Sequence, residues 1–93
     1  MKGDVTFSNC FRNAQTDFGI VGRKCLRKLR FEGSGYFDVT IKNGSRERTK
    51  RVTFNNGVAE LYLYEYGENF NFDFVLGRRA IIENMTAVLQ VVA

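Results

Sequence analysis

Ninety-three residues with no histidine, proline or tryptophan, but with nine phenylalanines and four tyrosines, bound what this chain can be. The length allows a single domain with one core, and the missing imidazoles remove the usual general base, the Ser-His and Cys-His nucleophiles and every His-containing zinc site, so a non-enzymatic protein with no cofactor, metal or small-molecule substrate is expected. The formal charge of +4 is uneven: residues 1–51 hold twelve basic and five acidic side chains against two and five in residues 52–93, a split that suits an anionic partner or contact between copies.

Residues 2–11 alternate, with Val5, Phe7 and Phe11 on one face and Thr6, Ser8 and Cys10 on the other, which predicts a half-buried first strand. No signal-peptide pattern opens the sequence, and no apolar run approaches the roughly 20 residues that span a bilayer. A soluble product without a membrane span is therefore expected, located in the producing cell or in a virion. Residues 13–22, NAQTDFGIVG, read as a long loop pinned by Phe18, Ile20 and Val21. Cys10 and Cys25 admit either one disulfide or two buried thiols.

Residues 23–30, RKCLRKLR, alternate poorly; a basic strand running into Phe31 is favoured over a helical turn. Either conformation presents Arg23, Lys24, Arg27, Lys28 and Arg30 close together. Residues 36–42 predict a strand with Phe37, Val39 and Ile41 inward, followed by a hairpin signal at Asn43-Gly44. The next strand poses a conflict, because the parity that turns Val52 and Phe54 inward also turns Arg46, Arg48 and Lys50 inward. A β-bulge near residues 49–51, or a strand whose first half runs past the core, would resolve it.

Asn56-Gly57 lies between two alternating runs and predicts a two-residue hairpin in which Asn55 faces Val58, Phe54 faces Ala59 and Val52 faces Leu61. A turn at residues 66–69 then leads into Phe70, Phe72 and Phe74 as the third strand of a meander. Residues 80–83 predict a short strand, Glu83-Asn84 a turn, and residues 87–92 a last strand either buried on both sides or covered by a partner. The expectation for residues 1–93 is one all-β domain, an immunoglobulin-like β-sandwich of about seven or eight short, mostly antiparallel strands.

Two features point to partners. Tyr62, Tyr64 and Tyr66 alternate with Leu61 and Leu63, so three phenols share the outer face of one strand, a composition favoured at protein contacts. The cations Arg23, Lys24, Arg27, Lys28 and Arg30, joined by Arg46, Arg48, Lys50 and Arg51, form a basic cluster able to meet an anionic partner, including weak, non-specific nucleic acid. Asn43-Gly44-Ser45 and Asn84-Met85-Thr86 match the glycosylation acceptor pattern, which is set aside with no export signal ahead of it.

Residues 52–84, with Asn56-Gly57, Gly67-Glu68 and Glu83 as the matching marks, resemble the second half of the immunoglobulin-like and prealbumin-like β-sandwiches of Gram-positive pilins and surface adhesins. Members of that family can crosslink a first-strand lysine to a late asparagine. The position aligned with that lysine is Asn9, so no such crosslink is expected. The resemblance implies a sandwich fold that bacteriophage decoration, tail and fibre-base proteins also use. The functional expectation is an accessory subunit of a virion that contacts other protein subunits, either its own copies or a shell protein. A nucleic-acid-binding small β-protein and an excised pilin or adhesin domain are the alternatives.

Overall fold

Aromatic and β-branched residues at period two, with no sustained run at helical period, give strands throughout. The computed structural model describes residues 4–8, 15–16, 18 and 22–91. Its elements are β1 (Asp4–Ser8), β2 (Gln15–Thr16), β3 (Lys24–Ser34), β4 (Tyr36–Asn43), β5 (Arg46–Thr53), β6 (Val58–Gly67), β7 (Phe70–Leu76) and β8 (Ile81–Val91). Two antiparallel sheets result, ordered β1-β8-β3-β6 and β2-β7-β4-β5. The frame is six long strands, three in each sheet, where the sequence pattern predicts about seven or eight short ones; β1 and β2 add a shorter strand to each sheet.

The pairing is nested. β1 pairs with β8, β2 with β7, β3 with β6 and β4 with β5, so the chain is one long hairpin doubled back at Gly44 and Ser45 and then rolled. The β3–β8 and β4–β7 ladders close the roll. That is the order of a double-sheet jelly roll. An immunoglobulin order would set the first strand beside the second, and here the first lies beside the last.

Three local expectations change for the same reason. Asn56 and Gly57 do form the two-residue turn, with φ of 57° and 83°, and Asn55 and Val58 exchange both backbone hydrogen bonds. The hairpin stops there. β5 continues along β4 and β6 along β3, so Ala59 faces Phe31 and Leu61 faces Leu29 instead of Phe54 and Val52. Likewise β7 pairs with β4 and not with β6, which replaces the meander by a crossing between sheets. No turn interrupts residues 83–84: β8 continues through them along β3, with a register shift that leaves Glu83 as an extra residue between the pairs Gly33↔Ile82 and Glu32↔Asn84. Its Ala87 and Leu89 are buried while Val88 and Gln90 are only half-buried, so it is not covered equally on both faces.

Alternation did fix which side chains enter the core. Phe37, Val39 and Ile41 of β4 and Phe70 and Phe72 of β7 pack against Leu26, Leu29 and Phe31 of β3 and Met85, Ala87 and Leu89 of β8. The sheets meet edge-on at Phe31 and Phe37, whose ring centroids lie 4.8 Å apart. Phe18 is buried and packs on Phe70 and Phe72, which pins the expected loop there, although Gln15 and Thr16 within it pair with β7 as a short strand. Ile20, Val21, Cys10 and the faces of the first strand lie outside the described residues. Cys25 is a free, buried thiol.

The parity conflict in β5 is resolved without a bulge, since the β4–β5 ladder runs in unbroken register from Tyr36↔Thr53 to Asn43↔Arg46. The first half of β5 instead runs along the open side of the sandwich. There Arg48 reaches the other sheet and meets Glu65 of β6 at 2.5 Å. Glu65 also stands at an inward position of its strand, so two charges at core parity satisfy each other across the gap.

Candidate functional site

The segment of residues 23–30 is a strand, not a helix, and a bulge explains why its sequence alternates poorly. Between Leu26 and Lys28 the register shifts on both sides: Arg27 is an extra residue relative to β8, and Leu63 and Tyr64 together oppose Arg27 on β6. A bulge turns two successive side chains to one face. Leu26 and Leu29 therefore both stay in the core, while Arg27 and Lys28 both reach the outer face. On β6 the irregularity falls on Tyr64, whose φ of 58° is unusual for a residue with a side chain and costs about 1–2 kcal/mol.

The outcome is an interleaved face. Tyr62, Tyr64 and Tyr66 stand 60, 57 and 49 % exposed, as their alternation predicted. Each ring carries a cation from β3 or the residue before it: Lys28 Nζ lies 5.5 Å from the Tyr62 centroid, and the guanidinium carbons of Arg27 and Arg23 lie 5.7 and 5.6 Å from those of Tyr64 and Tyr66. Contacts of this kind contribute roughly 0.5–1 kcal/mol each at exposed sites and hold the long side chains in place. Glu60 closes one end, accepting from Lys28 Nζ at 3.2 Å and from the Tyr62 hydroxyl at 3.1 Å. Those two hydrogen bonds hold its carboxyl below the usual glutamate range. A shallow groove of about 120 Å³ lies on this face, lined by Arg27, Lys28, Tyr62, Tyr64 and Val88. At the other end burial pushes the Cys25 thiol up, with the Tyr66 side chain as its hydrogen-bond partner.

The basic cluster expected from the sequence is not one surface. Arg23, Arg27 and Lys28 lie against the tyrosines, while Arg30, opposite Glu60 on the same pair of strands, is in a 2.7 Å ion pair with Glu32. Lys24 does not join them. It is fully buried, and its ammonium donates to the carbonyls of Gly22 and Glu68, so it ties the start of β3 to the turn after β6. Arg46, Arg48 and Lys50 belong to the other sheet and follow the open side of the sandwich. Arg51 is on that sheet's outer face, forked onto Asp38 at 2.8 and 3.2 Å and 4.7 Å from the Tyr36 centroid.

One group that carries much of the electrostatics was not singled out from the sequence. Glu65 is buried, held by Arg48 and by Asn43, whose Nδ2 also donates to the Tyr66 carbonyl at 2.7 Å. Burial raises its pKa, but the hydrogen bonds from Arg48 and Asn43 and the charges of Arg48 and Arg46 outweigh that and lower it overall. The signal for it was present: in the run Leu61, Leu63, Glu65 the carboxylate occupies an inward position, as Arg48 does on its own strand.

Chemically the face offers aromatic area, hydroxyl groups and oriented cations. Among the described residues no three His, Cys, Asp or Glu side chains gather to hold a metal ion. Comparisons of the chain with protein-family models, with curated proteins and with solved structures each find no match.

Proposed function

We propose that this chain is a non-catalytic binding domain that acts through protein–protein contact at the Tyr62, Tyr64 and Tyr66 face, as an accessory subunit of a larger assembly such as a bacteriophage virion. The observation that supports it is the row of three exposed phenols, each with a cation held against its ring. Tyrosine and arginine are enriched among the hot spots of protein contacts, and side chains already held in place lose less freedom on binding. The virion setting rests on the chain's small size, its β-only fold and an analogy: jelly rolls recur in viral capsid domains, but also in lectins and cupins, and a shared fold does not fix a role.

The test is light scattering and capture of shell proteins by the wild type and by a Tyr62→Ser/Tyr64→Ser/Tyr66→Ser variant, with melting curves for both. A folded variant that no longer assembles or captures its partner is the expected result. Raised ionic strength should slow association more than it speeds dissociation, because the face is basic. A folded variant that assembles normally would overturn the reading. Tight binding of single-stranded nucleic acid that weakens steeply with salt and is lost in the same variant would favour instead the nucleic-acid alternative, for which interleaved rings and cations are also suited.

A further inference from the structure

Of the large apolar side chains that stand exposed among the described residues, three are the tyrosines of the contact face. The other four, Tyr36, Val75, Leu76 and Ile81, surround the passage from β7 to β8 at one end of the sandwich, with the three aliphatic ones half or more exposed. Between them runs the turn Gly77-Arg78-Arg79-Ala80, closed by the Ala80 amide donating to the Gly77 carbonyl at 3.2 Å. Arg79 has a φ of 61°, at a turn position that glycine fills most readily. The turn is firmly seated. The Gly77 amide donates to the Tyr36 carbonyl at 2.9 Å, and the Tyr36 ring lies so close over Gly77 that a Cβ there would come within 2.5 Å of it.

The charges are as uneven as the apolar groups. Arg78 and Arg79 are the only basic side chains in residues 52–93, and neither forms an ion pair among the described residues. Two free guanidinium groups at the tip of a turn whose arms carry exposed Val75, Leu76 and Ile81 combine charge for anionic oxygens with aliphatic area for hydrocarbon. Aliphatic side chains gain by entering the headgroup and acyl boundary, while long cationic stems reach back to phosphate or carboxylate oxygens. A nucleic acid would use the arginines but not the aliphatic side chains.

We propose that this end of the sandwich is a peripheral binding site for an anionic bilayer surface, with Leu76, Ile81 and Val75 as the inserting groups and Arg78 and Arg79 as the headgroup contacts. It is separate from the tyrosine face and does not rest on it. The experiment is co-sedimentation with phosphatidylcholine vesicles and with vesicles that also contain phosphatidylserine. Wild type should bind the anionic vesicles and leave the neutral ones largely unbound. Leu76→Ser/Ile81→Ser and Arg78→Ala/Arg79→Ala should each weaken binding about tenfold or more, while the triple tyrosine variant should bind like wild type. Wild-type protein that ignores anionic vesicles overturns the proposal whatever the variants do. So does a folded Leu76→Ser/Ile81→Ser variant with undiminished binding, which would mean that charge alone, or an acidic protein, is the natural target of this turn.

Discussion

The two sheets present the cations of their outer surfaces to different mixtures of partners, rings predominating on one and carboxylates on the other. On the β3–β6 surface Arg23, Arg27 and Lys28 each lie against a phenol ring, a contact that does not neutralise the cation and leaves it able to meet a third party, although Lys28 also pairs with Glu60 at 3.2 Å. On the β4–β5–β7 surface each cation has a carboxylate, with Arg51 forked onto Asp38 as well as lying over the Tyr36 ring, Lys42 on Asp73 at 2.8 Å, and Thr40 and Thr49 hydrogen-bonded between them. A cation already matched by a carboxylate has less to gain from an incoming anion. Counting basic residues along the sequence thus overstates the binding surface; what each one faces decides.

Changes at single residues sharpen that contrast. The largest effect belongs to neither surface but to the charge pair between the sheets. Arg48→Ala strands the buried Glu65 carboxylate with Asn43 alone, and a loss of about 2–3 kcal/mol is expected, toward the low end for buried pairs because the guanidinium is itself 39 % exposed. Denaturant titration measures it. The pH dependence carries the sign. Glu65 has a lowered pKa in the folded chain, so its contribution is fully present above the unfolded value of about 4.3 and is lost as pH falls through the lower folded value. Wild type should lose stability on acidification in that window, and Arg48→Ala should lose less, since its buried carboxylate gains by protonation. Equal acid slopes in the two proteins would show that Glu65 does not depend on Arg48.

A smaller effect tests the irregularity beneath the contact face. Tyr62 and Tyr64 are similarly exposed on one strand, but only Tyr64 has a positive φ. Glycine relieves that strain, so Tyr64→Gly should be about 1 kcal/mol less destabilising than Tyr62→Gly. Equal losses in thermal melts would remove the strain from the account. The smallest effect is expected at Arg51→Ala. It breaks an exposed fork to Asp38 and should leave the melting temperature nearly unchanged and any contact made by the tyrosine face intact.

The sequence made the faces legible and the neighbours illegible. Alternation identified Phe37, Val39, Ile41, Phe70 and Phe72 as core and Tyr62, Tyr64 and Tyr66 as surface, because period two reports a residue's side of its own strand. It does not report which strand lies alongside. Asn56-Gly57 has the same local geometry whether its arms go on pairing or part into two sheets, so a well-placed turn still led to the wrong partners for Phe54 and Val52. Lys24 was misplaced for a related reason: its carbonyl partners at Gly22 and Glu68 converge only once β6 and β3 are side by side. Arg48 and Glu65 each looked anomalous in its own strand, and only their juxtaposition explains either.

Nested pairing also sets a schedule. The β4–β5 hairpin joins neighbours in sequence and can form within microseconds, whereas β1 must find β8, about eighty residues further along the chain. On a ribosome that adds about 5–20 residues per second, the first strand waits seconds for a partner that has not yet been made. During that wait its edge is open to other chains, so crowded synthesis should cost this protein more yield than its final stability would suggest.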